Sequence, residues 1–231
     1  MNTTLHSFMD IFETAFTDGQ ETVNLKKIII PIIQRDYAQG RVDPDINRVR
    51  DRFLSSLYDA IEAEPITLDF VYGDIDENDV MTPLDGQQCL TTLFLLHWDA
   101  ARKSSVSEED SAFLSNFGYE TRYSARYFCK ELTRFFPAFE GKLSEAIIDQ
   151  AWFPLDWQKD PTSGTSKRWN PTLIVGAILT DTTVPPTFSI PVCPIYTRVE
   201  KSLWTRQIRL TFSRIASMHM LIKTEDRDGS H

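Results

Sequence analysis

Cysteine is scarce in this chain. Cys89, Cys129 and Cys193 are the whole complement, scattered and odd in number, beside four histidines. They form no C-x-x-C pair and no zinc-ligand spacing, so neither a disulfide framework nor a structural metal organises the fold. Reduced thiols in a cytoplasmic protein fit this usage. Basic residues are also short, 24 against 33 acidic, for a net charge of −9. Wrapping nucleic acid needs clustered Lys and Arg, so the chain is a poor candidate for doing so unaided, although a local basic face stays open. No apolar run approaches the roughly 18 residues needed to cross a bilayer, and no membrane association is expected. Asp10 and Glu13 interrupt the apolar pattern near the N-terminus, which argues against a signal peptide. What is present, 42% hydrophobic and 25% charged residues over 231 positions, suits a soluble globular protein of one or two domains with a real core.

Periodicity gives the coarse organisation. Leu5, Phe8, Met9, Phe12 and Phe16 recur at three- and four-residue steps and predict an amphipathic first helix ending at Asp18-Gly19. Lys27 to Ile33 is a short β-branched run carrying Pro31, a strand leading into a loop. Pro44 opens a second helix, with Ile46, Val49, Phe53, Leu54, Leu57 and Ile61 on one face and Arg48, Arg50, Asp51 and Arg52 on a solvated one. Thr67 to Ile75 and Val80 to Leu84 read as strands around an acidic turn at Asp74 to Asn78. Helical patterns follow over Ser107 to Leu114 and Thr121 to Phe136. Trp152, Phe153 and Trp157 read as packing aromatics.

The segment Pro83-Leu84-Asp85-Gly86-Gln87-Gln88-Cys89-Leu90-Thr91-Thr92-Leu93 concentrates a carboxylate, a glycine, two amides and two hydroxyls at the head of an apolar helix. Asp85 is placed to cap that helix, and Gly86 lets the backbone enter it tightly. The first amides of any helix lie outside its own ladder and carry the positive end of its dipole, which suits an anion. An ordinary capped helix satisfies the same composition. Leu90, Leu93, Phe94 and Trp98 form the buried stripe, and His97 on it reads as a core histidine.

Four ordered segments carry a family resemblance. Asp85-Gly86-Gln87-Gln88-Cys89-Leu90-Thr91-Thr92-Leu93 is similar to the Asp-Gly-Gln-Gln-Arg-Leu-Thr-Thr-Leu hallmark of the N-terminal domain of GmrSD-type restriction endonucleases, which is related to the ParB/sulfiredoxin nucleotide-binding fold. Ile30-Pro31-Ile32-Ile33-Gln34-Arg35-Asp36-Tyr37 resembles its Ile-Pro-x-x-Gln-Arg-x-Tyr segment. Leu68-Asp69-Phe70-Val71-Tyr72-Gly73 resembles the strand before the hallmark. Tyr119-Glu120-Thr121-Arg122, with Arg126-Tyr127-Phe128-Cys129, resembles a downstream helix of one subgroup. The resemblance implies an α+β fold, a small ParB/sulfiredoxin-like sheet surrounded by helices. It also implies binding and hydrolysis of a nucleoside triphosphate with Mg²⁺, licensing DNA cleavage by an HNH-type nuclease domain or partner subunit in phage defence.

On that reading Asp85, Gln87, Gln88 and Arg35 are the catalytic candidates. Asp85 would hold Mg²⁺ or orient a water, the two glutamines would position water or read a base edge, and Arg35 would grip phosphate oxygens. Gln34, Tyr37, Gly86, Cys89, Thr91 and Thr92 are the nucleotide-binding candidates, the threonines as first-turn hydroxyls. Cys89 departs from the family, which has Arg there. A thiol is largely neutral at its usual pKa of about 8.5, and a thiolate induced by the helix N-terminus would repel phosphate. Impaired turnover follows more naturally than a cysteine nucleophile, for which no motif-linked histidine base exists. A non-catalytic nucleotide-, DNA- or partner-binding module, or a fragment of a disrupted gene, is the alternative.

The resemblance runs to about Thr162, and the division expected is a nucleotide-binding domain over 1–161 and a divergent tail over 162–231. The first segment carries a net −13; the second, rich in Thr, Ser and Pro, carries 9 basic against 5 acidic residues. The tail has no sustained helical period before Leu203, none of the family's later motifs and no HNH-type constellation. It is expected to be poorly ordered, either a non-homologous replacement or an unfamiliar small β/coil domain.

Overall fold

The computed structural model describes residues 2–13, 15–18, 21–32, 43–62, 67–120, 123–137, 143–154, 156–157 and 219–224. Its centre is a hairpin. Strand β5 (Thr67–Ile75) and strand β6 (Val80–Asp85) run antiparallel around a tight turn. Asp76 makes that turn, its Oδ1 accepting the N–H groups of Asn78 and Val80, both at 2.9 Å. Asp79 sits at φ 61°, a left-handed conformation that Asp tolerates, and its carboxylate meets Lys26 Nζ at 2.8 Å. Further along β5, a Cβ on Gly73 would stand 2.6 Å from the Thr82 carbonyl oxygen, so the hairpin closes only over glycine.

Strand β4 (Lys27–Ile30) lies parallel to β6 on one side and parallel to β7 (Phe117–Tyr119) on the other. It stops before Pro31, which has no N–H for a ladder. Two strands complete the sheet at the opposite side, β1 (Asn2–Ser7) and β8 (His219–Thr224). Among the described residues the order is β1-β8-β5-β6-β4-β7, a mixed sheet, with a separate two-stranded pair of β2 (Phe16–Asp18) and β3 (Glu21–Val23). The fold is α+β. Strand β8 comes from the segment after residue 161, yet it runs parallel to β5 and antiparallel to β1, standing between them.

The helices are α1 (Pro44–Glu62), α2 (Gln87–Lys103), α3 (Tyr123–Arg134) and the short α4 (Leu143–Ile148). Helix α2 is the core element. Leu90, Leu93, Phe94, Leu96 and Trp98 on it are all at most 1% exposed, and each large apolar side chain so buried contributes about 1.5–3 kcal/mol. Phe94 stacks on Phe117 of β7 at 4.9 Å, and Trp98 Nε1–H donates to the Leu132 carbonyl of α3 at 2.6 Å. Arg48 on α1 is exposed and paired with Asp45 at 3.1 Å, as a solvated face requires.

Two expectations are overturned. The N-terminal helix does not form; β1, a 3-10 turn at Asp10–Phe12 and β2 occupy that stretch. The four-residue apolar step from Phe8 to Phe12 does bring two rings together, at 5.9 Å. Thr3 and Thr4 favour a strand, and six registered pairs with β8, from Asn2↔Thr224 to Ser7↔His219, supply the partner. Ser7 Oγ then accepts the Asp10 N–H at 3.0 Å and starts the 3-10 turn. Likewise Ser107 to Leu114 is a set of turns closed by a 3-10 helix at Ala112–Asn116, because Ser107 and Ser111 bond back to local backbone. The helix expected over Thr121 to Phe136 is present as α3.

Candidate functional site

Strand β6 delivers its last residue, Asp85, directly into the turn that starts α2. Gly86 is the N-cap, at φ 87° and ψ 1°, a left-handed conformation that glycine takes without strain. Asp85 does not cap the helix as the sequence suggested. Its Oδ1 accepts the N–H of the adjacent Gly86 at 2.7 Å, and no side-chain cap is made to α2. The reason is geometric. With Gly86 at the N-cap, Asp85 is one residue too early to reach the second or third helical amide. The helix ladder begins with Leu90 N–H donating to the Gly86 carbonyl at 2.9 Å. The first-turn amides of Gln87, Gln88 and Cys89 lie outside that ladder. Asp85 is exposed, Gln88 and Cys89 are half-buried, and Gln87 is buried.

The two threonines stand one turn further in than a first-turn role requires. Thr91 Oγ1 donates to the Gln87 carbonyl at 2.8 Å, and Thr92 Oγ1 to the Gln88 carbonyl at 2.8 Å. Both are 1% exposed. They brace the first turn from behind by back-bonding. With its proton committed to Gln87, Thr91 Oγ1 accepts from the Tyr119 hydroxyl at 2.8 Å, which ties the end of β7 to the head of α2.

Parallel pairing then decides what surrounds the turn. Ile28 of β4 is in register with Met81 of β6 and with Phe117 of β7. Two residues on from each of these are Pro83, Ile30 and Tyr119, at or just before the ends of their strands. The three chains therefore leave the sheet at one level and one edge, the carboxyl edge, where open α/β sheets place ligands. Glu120 staples the edge together. Its N–H donates to the Ile30 carbonyl at 2.9 Å, its Oε2 accepts the Ile32 N–H at 3.2 Å, and its carbonyl accepts from Arg126 Nη1 at 3.4 Å. Gln34, Arg35 and Tyr37 follow directly in the chain but lie outside the described residues, 33–42 being undescribed. Tyr119 and Glu120 were not among the sequence-derived site residues. Only their place in the Tyr-Glu-Thr-Arg segment marked them, and that gives no role without the β4–β7 pairing.

His97 and Cys129 lie in the core. His97 is fully buried with Nδ1 2.8 Å from the Leu93 carbonyl, and burial lowers its pKa from the ordinary 6.5 to about 4, against that hydrogen bond. Its ring packs on Phe8 at 5.0 Å, so it is a core histidine. Burial also pushes the Cys129 thiol up to about 12, which makes it inert. No group of three or more His, Cys, Asp or Glu side chains suited to a metal occurs among the described residues. No helix among them is long and apolar enough to cross a membrane.

Comparison with known proteins adds one match. The family model described as GmrSD restriction endonuclease, N-terminal domain, covers residues 13–155, more than half of the chain. No curated protein matches it. The matched span takes in β5, β6, β4 and β7 with α1 to α4, and hence the whole carboxyl edge, while β1 and β8 fall outside it.

Proposed function

The chain belongs to the family of GmrSD restriction endonuclease N-terminal domains, and from that premise we propose that it binds a nucleoside triphosphate at the carboxyl edge of β6, β4 and β7 and hydrolyses it to license DNA cleavage by a partner nuclease. That the chain is a domain of a DNA restriction system follows from the family. The nucleotide is supported by one observation above all. The glycine-capped start of α2, the exposed Asp85 and the carboxyl end of β4, which Gln34 and Arg35 follow in sequence, share one edge of the sheet.

The chemistry suits those groups. Hydrolysis joins a water oxygen to the γ-phosphorus and breaks its bond to the β,γ-bridging oxygen, leaving nucleoside diphosphate and phosphate. Catalysis there is mostly positioning and charge neutralisation. First-turn amides of α2 face the phosphates. Arg35 grips their oxygens with its planar fork. Gln87 and Gln88 orient the attacking water, neither being a strong base. Magnesium ion, usually held by one or two carboxylates together with phosphates, would draw charge from the phosphates when bound, and the exposed Asp85 fits that donor set. Thr91, Thr92 and Tyr119 act from behind by holding the first turn in shape.

Titration calorimetry with each ribonucleoside triphosphate and Mg²⁺, paired with phosphate release, tests the reading. Asp85→Ala and Arg35→Ala are each expected to weaken binding or turnover. Unchanged parameters in both, with the variants folded, would remove these residues from the site.

A second reading, a binding module without turnover, is favoured by Cys89. It stands third in α2, half-buried, where the family motif has a fixed positive charge. Cys89→Arg separates the two. Loss of a transition-state arginine costs on the order of 10³ or more in rate elsewhere, so a gain in phosphate release marks Cys89 as the lesion. No gain in a folded variant assigns the impairment elsewhere. The experiment belongs in the full chain, because ending it near Pro161 would delete β8 from between β1 and β5.

A further inference from the structure

Large apolar side chains are exposed at few described positions, among them Ile32 at 65%, Leu84 at 43% and Tyr123 at 61%. Ile32 and Leu84 stand at the carboxyl ends of β4 and β6, and Tyr123 opens α3 four residues after β7. Scattered surface hydrophobics need no explanation, and Ile32 and Leu84 are ordinary in that sense. Tyr123 differs because its ring is held. Tyr127, one helical turn on, stacks against it at 5.5 Å with the planes 14° apart. Trp157 meets both rings edge-on, at 6.1 Å from Tyr123 and 5.8 Å from Tyr127. Trp157 is itself only 8% exposed and packs on Phe153 at 5.9 Å. An aromatic ring that is braced on one side and wet on the other loses little freedom when a flat ligand covers it.

Its place in the fold connects it to the phosphate turn. Tyr123 follows β7 by four residues, and β7 is two strands from β6, roughly 10 Å across the sheet. The Tyr119–Thr91 hydrogen bond at 2.8 Å holds the intervening end of β7 against α2. We infer that Tyr123 is the stacking platform for the base of a nucleotide whose phosphates meet the Asp85–Gly86 turn, an inference that rests on the nucleotide reading above. Stacking needs only a π-face, which every base has, so this platform supplies affinity with little choice among bases.

The test uses the full chain and five probes with Mg²⁺: the four common ribonucleoside triphosphates and inorganic tripolyphosphate. Base stacking contributes about 1–3 kcal/mol, so the native chain should bind at least one nucleotide between about five- and 150-fold more tightly than tripolyphosphate. Tyr123→Ala should bring that nucleotide to the tripolyphosphate level and leave tripolyphosphate binding unchanged. Tyr123→Trp should restore the difference, which a merely structural role would not predict. Equal binding of nucleotides and tripolyphosphate by the native chain, or a Tyr123→Ala variant that keeps the difference, overturns the platform and leaves the phosphate turn standing. Binding of none of the five probes by the folded native chain overturns both. A single-stranded oligonucleotide that loses affinity with Tyr123→Ala, while nucleotides do not, would assign the ring to nucleic acid instead and overturn the proposal.

Discussion

The two ends of α2 are built from similar materials and arranged in opposite ways. At the C-terminal end Arg102 is 6% exposed. It donates to the carbonyls of Phe135 and Thr133 and to Ser111 Oγ at 2.6 to 3.1 Å, with its guanidinium 3.9 Å from the centre of the Phe136 ring. Asp99, fully buried, takes Lys103 Nζ at 2.9 Å. Burial raises the Asp99 pKa, with Lys103 pulling it back, and burial lowers that of Arg102, with Glu108 opposing. At the N-terminal end the carboxylate of Asp85 is exposed and the N-cap is a glycine with no side chain to offer. One end turns its charges inward, Arg102 onto backbone carbonyls and Asp99 onto Lys103; the other keeps the Asp85 carboxylate exposed, with the Gly86 N–H on its Oδ1 at 2.7 Å. Polar residues on a helix therefore say little by themselves about function. What separates a clamp from a site is whether the protein itself already supplies the partners.

Changes at the closed end should therefore act on stability. Arg102→Ala leaves the Thr133 and Phe135 carbonyls without their charged donor, and the loss is expected to be about 3 kcal/mol or more. Urea unfolding followed by tryptophan fluorescence measures it, and a loss below 1 kcal/mol would show that the clamp is ornamental. Arg102→Lys should recover little, since an ammonium cannot reproduce the fork.

The middle of the same helix should make the protein acid-sensitive. His97 has its folded pKa lowered, from 6.5 to about 4. Between those values the unfolded chain binds the extra proton and the folded one does not, so stability falls as pH drops through that window and levels off below it. The full span is worth about 3 kcal/mol. Asp99, with its pKa raised, acts with the opposite sign, so the contribution is read as a difference from a variant. His97→Phe keeps the ring beside Phe8 and Phe113 and should flatten that part of the stability–pH curve. An unchanged curve would place the acid sensitivity elsewhere.

The open end should respond least in stability. Gly86→Ala forces a Cβ into a left-handed conformation and should cost about 1–2 kcal/mol. Asp85→Ala should stay within about 0.5 kcal/mol of the native chain, while its effect appears in nucleotide binding. A large loss of stability from Asp85→Ala, without loss of binding, would erase the contrast between the two ends.

Much of the local structure was legible beforehand. Thr67 to Ile75 was read as a strand and is β5 over those residues; Pro44 was read as opening a helix and is the first residue of α1. The stripe Leu90, Leu93, Phe94 and Trp98 is buried, and His97 lies in the core with it. The Asp85–Gly86 turn stands at the strand-to-helix junction that its residues suggested, although glycine rather than aspartate takes the cap. The reading failed where the partner was distant. Nothing near Asn2 to Ser7 reveals that Thr224 to His219 will pair with it. Nothing in Tyr119 or Glu120 reveals that β4 will lie beside β7 and bring both residues to the carboxyl edge.

By itself, then, the sequence determined where elements begin, stop and turn. Pro31 ends β4, Asp76 folds the β5–β6 turn, Gly73 and Gly86 permit a close approach and a left-handed step, and the apolar run from Leu93 to Trp98 marks α2 as a helix buried on every face. These are effects of a residue on its own backbone and nearest neighbours. Only the tertiary structure decided which strand lies beside which, and so that β8 would stand between β1 and β5, and that three chain exits would meet at one edge. The reason is that strands pair through backbone N–H and carbonyl groups that every residue but proline carries alike. Pairing has almost no address in the side chains, and its register is settled by which apolar faces can be buried together.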